Sequence, residues 1–334
     1  MITGGSAGLG RATALAFASH GDDVALIARN PQRLDAAADE CRSFGVRALA
    51  VPLDVADPIA MEAAAERIET ELGPVDVWVN SAMATVFAPV GALTAEEFKR
   101  ATEVTYLGQV YGTMAALKRM RQRNRGTIIN VGSALAYRAI PLQSAYCGAK
   151  FAARGFTESL RSEILHERLD IKLCMVHLPA MNTPQFDWAL NKTGWRAQPV
   201  PPIYQPEVGA RAIFFVSEHP RRNLWIGKPT VEVILANRVA PGLLDKYFAS
   251  KGYVGQLTSE REPAGAPANL FAPVDGDYGA HGRFDSRASA TSFQALADRH
   301  KVAVAGVAAA TVLGSIFMVR RWRRRSNGKL HSYI

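Results

Sequence analysis

The sequence predicts an α/β protein built on a doubly wound parallel sheet, and three observations carry that expectation. From Met1 to about Ala236, short β-branched runs alternate with longer amphipathic stretches, the pattern of successive βαβ units. A glycine-rich turn, Thr3-Gly4-Gly5-Ser6-Ala7-Gly8-Leu9-Gly10, stands between a strand stub and a helical stretch. Of the 334 residues, 48% are hydrophobic and 21% charged, enough for one sizeable core in a single large domain.

Taken in order, the β-branched runs predict strands over Val24 to Ala28, Ala48 to Leu53, Val75 to Asn80, Thr127 to Val131, Lys172 to Leu178 and Thr230 to Leu235. Helices are predicted over Gly10 to Ser19, Asn30 to Phe44, Pro58 to Leu72, Ala95 to Gln122, Ala145 to Glu167 and Gln205 to Ser217. Thr94 and Glu97 form an S/T-x-x-E capping box that starts the fourth of these helices. Only Met1 and Ile2 precede Thr3, so the first strand is expected to be truncated. A central strand cannot lose several residues without unpairing both neighbours, which implies that the sequence starts a few residues late.

The catalytic domain is expected to span 1–257. Residues from Thr258 to about Asp298, rich in Pro, Gly, Ala and Asp without apolar periodicity, are expected to be a flexible linker. A hydrophobic helix with a basic tail is expected over 299–334.

Charge distribution excludes a nucleic-acid partner. The net charge is +9, but residues 299–334 hold six Arg, two Lys and no acid, which leaves 31 bases against 30 acids in the rest. Cys41, Cys147 and Cys174 show no metal-ligand or CxxC spacing, and an odd count argues against a disulfide framework. The seven His residues form no HxH or HExxH pattern, so no metal site is expected. No charged and then apolar leader opens the chain, which implies reduced thiols in the cytosol.

Chemistry enters with Tyr146 and Lys150, four residues apart in a helical stretch and therefore on one face. A phenol ionises near pH 10, and a neighbouring ammonium favours the phenolate, so Lys150 is expected to tune Tyr146 for proton transfer. Ser133 follows the strand ending at Val131, at the carboxyl edge where open α/β sheets bind ligands, and its hydroxyl can hold a carbonyl or alkoxide oxygen. Glycines Gly4, Gly5, Gly8 and Gly10 permit a tight turn that opens a helix toward a pyrophosphate. At the end of the second strand Ala28 is followed by Arg29, where an Asp or Glu would bind ribose hydroxyls; a guanidinium suits a 2′-phosphate, so NADP(H) is expected over NAD(H).

The T-G-x-x-x-G-x-G turn, Asp54-Val55, Asn80-Ser81-Ala82, Ser133 and Tyr146-x-x-x-Lys150 together resemble the short-chain dehydrogenase/reductase family over Met1 to about Ala236. The resemblance implies a Rossmann-like fold and hydride transfer between a nicotinamide and a carbonyl or secondary alcohol, with Tyr146 as acid or base. It also implies that Lys150 binds the nicotinamide ribose. Thr3, Ser6, Leu9, Asp54, Val55, Asn80, Ala82, Pro179 and Thr183 would contact the coenzyme. Departures from the pattern are Thr105 where the family carries a relay Asn, Met83 and Ala180 where it carries Gly, and Ala7 where NADP-preferring relatives often carry a base. Through Thr105 a water relay is expected in altered form. A fold-retaining nucleotide sensor or scaffold with weakened catalysis is the alternative.

Four aromatics in the stretch Met181 to Tyr204 (Phe186, Trp188, Trp195 and Tyr204) suggest a lipophilic, bulky small-molecule carbonyl or alcohol as substrate, or else pack this stretch against the core. Val302 to Val319 are 18 residues without a charge; as a helix they would extend about 27 Å, just enough for a bilayer core. With the arginines at 320–325, they predict a membrane-associated enzyme facing the cytosol, anchored by its C-terminus. A homo-oligomer is compatible with this reading.

Overall fold

The computed structural model describes residues 1–295. Seven parallel strands form one sheet: β1 (Ile2–Thr3), β2 (Val24–Ala28), β3 (Ala48–Pro52), β4 (Val77–Asn80), β5 (Gly126–Ser133), β6 (Ile171–Leu178) and β7 (Asn223–Trp225). Their order across the sheet is 7-6-5-4-1-2-3, so the winding reverses between β1 and β4. That reversal opens the crevice in which doubly wound sheets bind ligands. Two-residue β1 is central: Ile2 pairs with Leu26 on one side and Val79 on the other. The Met1 amino group donates to the Val77 carbonyl at 2.8 Å, and burial pushes it down to about 5.

Helices cover both faces, as a sheet of Ile and Val strands requires. They are α1 (Gly8–Ala18), α2 (Pro31–Arg42), α3 (Pro58–Leu72), α4 (Ala95–Thr102), α5 (Gly108–Arg123), α6 (Ser144–His166) and α7 (Pro206–Glu218), followed by α8 (Lys228–Val239) and α9 (Pro241–Tyr247). Helix α1 packs on α7, and α3 packs on α5. Between these layers Ile2, Leu26, Ile27, Ile128, Ile129 and Met175 are fully buried. The expected capping box opens α4: the Thr94 hydroxyl accepts from Glu97 N at 3.2 Å, and the Glu97 carboxylate accepts from Thr94 N at 2.9 Å. The single helix expected over Ala95 to Gln122 is interrupted at Glu103–Leu107 by a π-helical turn before α5 resumes.

Two expectations are corrected. Thr230 to Leu235 is not a strand but the middle of α8. Its β-branched residues suit either state, and Pro229 in the first turn after Gly227 (φ +80°) favours helix, while the edge pairing with β6 is taken by Asn223–Trp225. The segment expected as a linker is packed as far as Ser292, within one unit running from Met1. Leu257–Arg261 pairs antiparallel with Trp195–Ala197, and Ala288–Ser289 pairs parallel with Ile203–Tyr204. Leu270, Val274 and Phe284 are buried. Such a segment has no period because isolated anchors and side-chain bonds to its carbonyls, rather than a helix or strand face, hold it. Among the described residues no helix is long and apolar enough to cross a membrane. The apolar helix and basic tail expected over 299–334 lie outside the described residues.

Candidate active site

At the carboxyl ends of β1, β4, β5 and β6 a cavity of about 590 Å³ runs from the glycine-rich turn, past Ser133, Tyr146 and Lys150, to α8 and α9. The turn itself depends on glycine at two places. Gly4 has φ +71°, and a Cβ there would lie 3.0 Å from the Ala82 Cα; a Cβ on Gly10 would lie 2.1 Å from the Gly4 carbonyl oxygen. Thr3 ties this turn to the end of β4 by accepting from Ser81 N (2.9 Å) and Ala82 N (3.1 Å).

Ser133 ends β5, and its hydroxyl accepts from Leu135 N at 3.1 Å. It also acts on the Tyr146 phenol, favouring its ionised form. Tyr146 and Lys150 stand one turn apart in α6, as the spacing predicts. Lys150 is 2% exposed; its ammonium donates to the Val131 carbonyl at 2.7 Å and lies 5.6 Å from the centre of the Tyr146 ring. Burial pushes this ammonium down to about 8. Burial also holds the Tyr146 phenol well above its ordinary value, with Ser133 pulling it back. Desolvation is thus the largest influence on the phenol in this state.

Most of the expected contact residues line this one cavity: Gly4, Ser6, Gly8, Leu9 and Gly10 from the turn, then Arg29, Asp54, Val55, Ala82, Pro179 and Thr183. Met83 also lines it. Thr3, Gly5, Asn80 and Thr105 are absent from its wall. The Asn80 amide is buried in a side-chain network, donating to Thr113 (3.0 Å) and Asn130 (2.9 Å) and accepting from Trp78 Nε1 (3.0 Å). Its side chain ties β4 to β5 and α5, and the cavity wall at this point is formed by Ser81, Ala82 and Met83. Thr105 is 0% exposed; its single O–H donor goes to the Ala84 carbonyl, and its oxygen accepts from Ala84 N. A relay through that hydroxyl is therefore not what the geometry provides.

A dinucleotide fits the donor set. Helix α1 begins at Gly8 with no side-chain cap; the Gly8 amide donates to the Gly279 carbonyl, and those of Leu9 and Gly10 are left for an anion at the positive end of the helix dipole. Arg29 lines the far end, donating to the carbonyls of Leu270 (3.3 Å), Phe271 (3.2 Å) and Asn269. Asp54 is ion-paired with Arg100 and caps Ala56 N at 3.0 Å.

The sequence gives little hint of five further wall residues. Arg33 lies over the Trp188 ring (4.8 Å) and the Tyr278 ring (5.1 Å), both far from it along the chain. Val200, Leu244 and Phe248 make the substrate end apolar. Arg138 there is held by Asp245 and Asn237. Only the aromatic richness of the stretch around Phe186 and Trp188 signalled this wall in advance, and both residues do line it.

A family model described as short chain dehydrogenase matches residues 1–192. A protein of Bacillus subtilis (strain 168), described as the uncharacterized oxidoreductase YxnA, is 32% identical over 318 residues, covering 93% of this chain and 88% of its own length. The 3-dehydrosphinganine reductase of Danio rerio is 32% identical over 191 residues, with 56% of this chain and 57% of its own length covered. Among solved structures, a short-chain dehydrogenase from Streptomyces avermitilis superposes with a TM-score of 0.62 at 28% identity, over 75% of this chain and 97% of that one. L-Sorbose reductase from Gluconobacter frateurii, complexed with NADPH and L-sorbose, gives 0.58 at 26% identity, over 67% and 93%.

Proposed function

Because the chain belongs to the short-chain dehydrogenase family and is an oxidoreductase acting on hydroxyl or carbonyl groups, we propose that it interconverts an apolar ketone and its secondary alcohol with NADP(H), using Tyr146 as acid and base. The observation that carries this reading is the meeting of Ser133, Tyr146 and Lys150 on the wall of the cavity that the glycine-rich turn also lines. A bound nicotinamide dinucleotide supplies or accepts the hydride.

The protein's own residues do the rest. The substrate carbonyl oxygen takes hydrogen bonds from the Ser133 and Tyr146 hydroxyls, which stabilise the negative charge that grows on it. Tyr146 gives its proton to that oxygen, and the buried Lys150 ammonium stabilises the tyrosinate left behind. Oxidation runs the same steps backwards. Val200, Leu244 and Phe248 exclude water from the far end and favour an apolar substrate. A relative named 3-dehydrosphinganine reductase, which takes a lipid ketone by its name, is in keeping with that preference. NADP(H) is supported by Arg29, which lines the cavity together with Asp54, and by the NADPH in the L-sorbose reductase structure.

Attachment to a membrane through the uncharged run Val302 to Val319 and the basic residues after it is part of the same proposal and rests on sequence alone. Fractionation of cells expressing the full chain and a form ending at Ser292 tests it. Both forms in the carbonate-washed soluble fraction would remove the anchor.

The catalytic reading is tested with Tyr146→Phe, assayed by NADPH absorbance against a panel of apolar ketones. Turnover should fall by roughly 10²-fold or more while NADPH still binds. A variant that turns over normally overturns the reading, and a wild-type chain that binds NADPH but reduces nothing favours the sensor alternative.

A further inference from the structure

Residues 269–282 cross the cleft at the end away from Tyr146, and the groups that grip them come from elements that form that end. Arg29, at the tip of β2, holds the carbonyls of Asn269, Leu270 and Phe271. At the start of α2, Asn30 donates to the Val274 carbonyl (3.2 Å), while Arg33 donates to Val274 (2.6 Å) and Gly276 (2.8 Å). Arg100 of α4 donates to the Leu270 carbonyl at 3.1 Å. From α1, Gly8 N donates to the Gly279 carbonyl at 3.0 Å, and the buried Arg11 is ion-paired with both Glu40 and Asp277.

Two details set the character of this crossing. Asn269, Pro273 and Val274 line the cavity together with Arg29, Asp54 and the glycine-rich turn, so the segment walls the cleft without filling it. And among the described residues the hydrogen bonds of Arg29 and Arg33 go to backbone carbonyls, not to carboxylates. Carbonyls orient a guanidinium while leaving its charge available, so both cations are held in place for an anion still to arrive.

We propose that residues 269–282 form a strap that retains the coenzyme, closing over its adenosine and 2′-phosphate end, with the Arg11–Asp277 ion pair as the latch. This rests on the dinucleotide reading given above and adds to it where the coenzyme is held and what controls its escape. A wall added over one end of a bound ligand removes an exit, so its effect falls on dissociation. Entry and release then require the strap to lift, which breaks the contacts to Arg29, Arg33 and Gly8 together. The chemical step at Tyr146 lies at the other end of the cavity and is not touched.

The test uses the full chain loaded with NADPH and chased with excess NADP⁺, following nicotinamide fluorescence in a stopped-flow instrument. Asp277→Lys sets a cation beside Arg11 and Arg33 and should speed NADPH release by about tenfold or more, raising KM for NADPH while the single-turnover rate of hydride transfer stays as in wild type. Asp277→Asn is the milder variant: Arg11 keeps Glu40 at 2.7 Å, so the fold is preserved, and release should quicken by a smaller factor. Limited proteolysis of the wild-type chain gives a reading independent of any variant, since NADPH should protect the bonds around Gly265 to Gly279 from cleavage. Release within twofold of wild type in both variants, or cleavage unaffected by NADPH, overturns the strap. Wild-type protein that binds neither NADPH nor NADH overturns the dinucleotide reading, and the strap with it.

Discussion

The hydroxyl of Thr105 and the backbone of Ala84 satisfy each other in both directions: Thr105 Oγ1 accepts from Ala84 N at 2.9 Å and donates to the Ala84 carbonyl at 2.8 Å. The pair joins the π-helical turn between α4 and α5 to the chain leaving β4, and it is buried. Thr105→Val keeps the shape but leaves a buried N–H and a buried carbonyl without this partner, a loss of about 1–3 kcal/mol in urea unfolding. Turnover of the folded variant should stay within a few fold of wild type. A hundredfold fall in kcat at unchanged stability would put the hydroxyl back into the proton relay.

Arg29→Asp should move coenzyme preference toward NADH. The change removes a charge-assisted contact to the 2′-phosphate worth roughly 1.5–3 kcal/mol, or about tenfold and more in kcat/KM, and adds like-charge repulsion. It also strips the Asn269 and Phe271 carbonyls of this donor and leaves Leu270 with Arg100 alone, so the melting temperature should fall as well. The ratio of kcat/KM for NADPH and NADH is the measurement. An unchanged ratio together with a lower melting temperature would make Arg29 a strap anchor alone.

Ser133→Ala tests the other half of the proton path. Removing the hydroxyl takes one donor from the developing oxyanion, a loss of roughly 10²-fold in kcat. It also removes the group that pulls the Tyr146 phenol down, so the phenol should ionise at still higher pH. The sign follows: the alkaline fall of the reduction rate and the rising limb of the oxidation rate should both move to higher pH. A pH profile that stays in place while kcat drops would confine Ser133 to substrate binding.

Most of the sheet and the meeting of Ser133, Tyr146 and Lys150 on one cavity wall were legible in advance because they obey local rules. Tyr146 and Lys150 follow helical spacing, Thr94 and Glu97 a capping rule, and Ser133 the carboxyl edge of a strand. What escaped was decided by partners far away in the chain. Val231, Val233 and Ile234 carry strand propensity, yet the start at Gly227 and Pro229 makes them helix. The 269–282 segment has no period because its carbonyls pair with Arg29, Asn30 and Arg33, a relation that no window of sequence contains. Asn80 sits in the expected family position, but its amide turns inward to Asn130 and Thr113; residue identity marked the place without marking the direction.

Behind Ser133 lies the group that should dominate the acid response of the fold. His177 on β6 is 0% exposed; its Nδ1 lies 3.3 Å from the Ser133 carbonyl, and its Nε2 lies 3.2 Å from the Tyr137 hydroxyl and 3.3 Å from Asn223 Oδ1. Burial holds the imidazole down at about 4, against its ordinary 6.5, despite the hydrogen bonds that favour its protonated form. The folded protein therefore keeps it neutral where the unfolded chain would protonate it. Stability is fully present above pH 6.5 and is lost progressively as the pH falls from 6.5 to about 4, below which both states carry the proton. The span corresponds to roughly 3 kcal/mol at one pKa unit per 1.36 kcal/mol. His177→Gln preserves a donor and an acceptor in the same place without a titrating group. The difference in unfolding free energy between wild type and variant, measured by urea titration at half-unit steps from pH 7.5 to 4, should change by that amount and level off at both ends. Parallel stability curves across the interval would show that His177 does not carry the acid sensitivity.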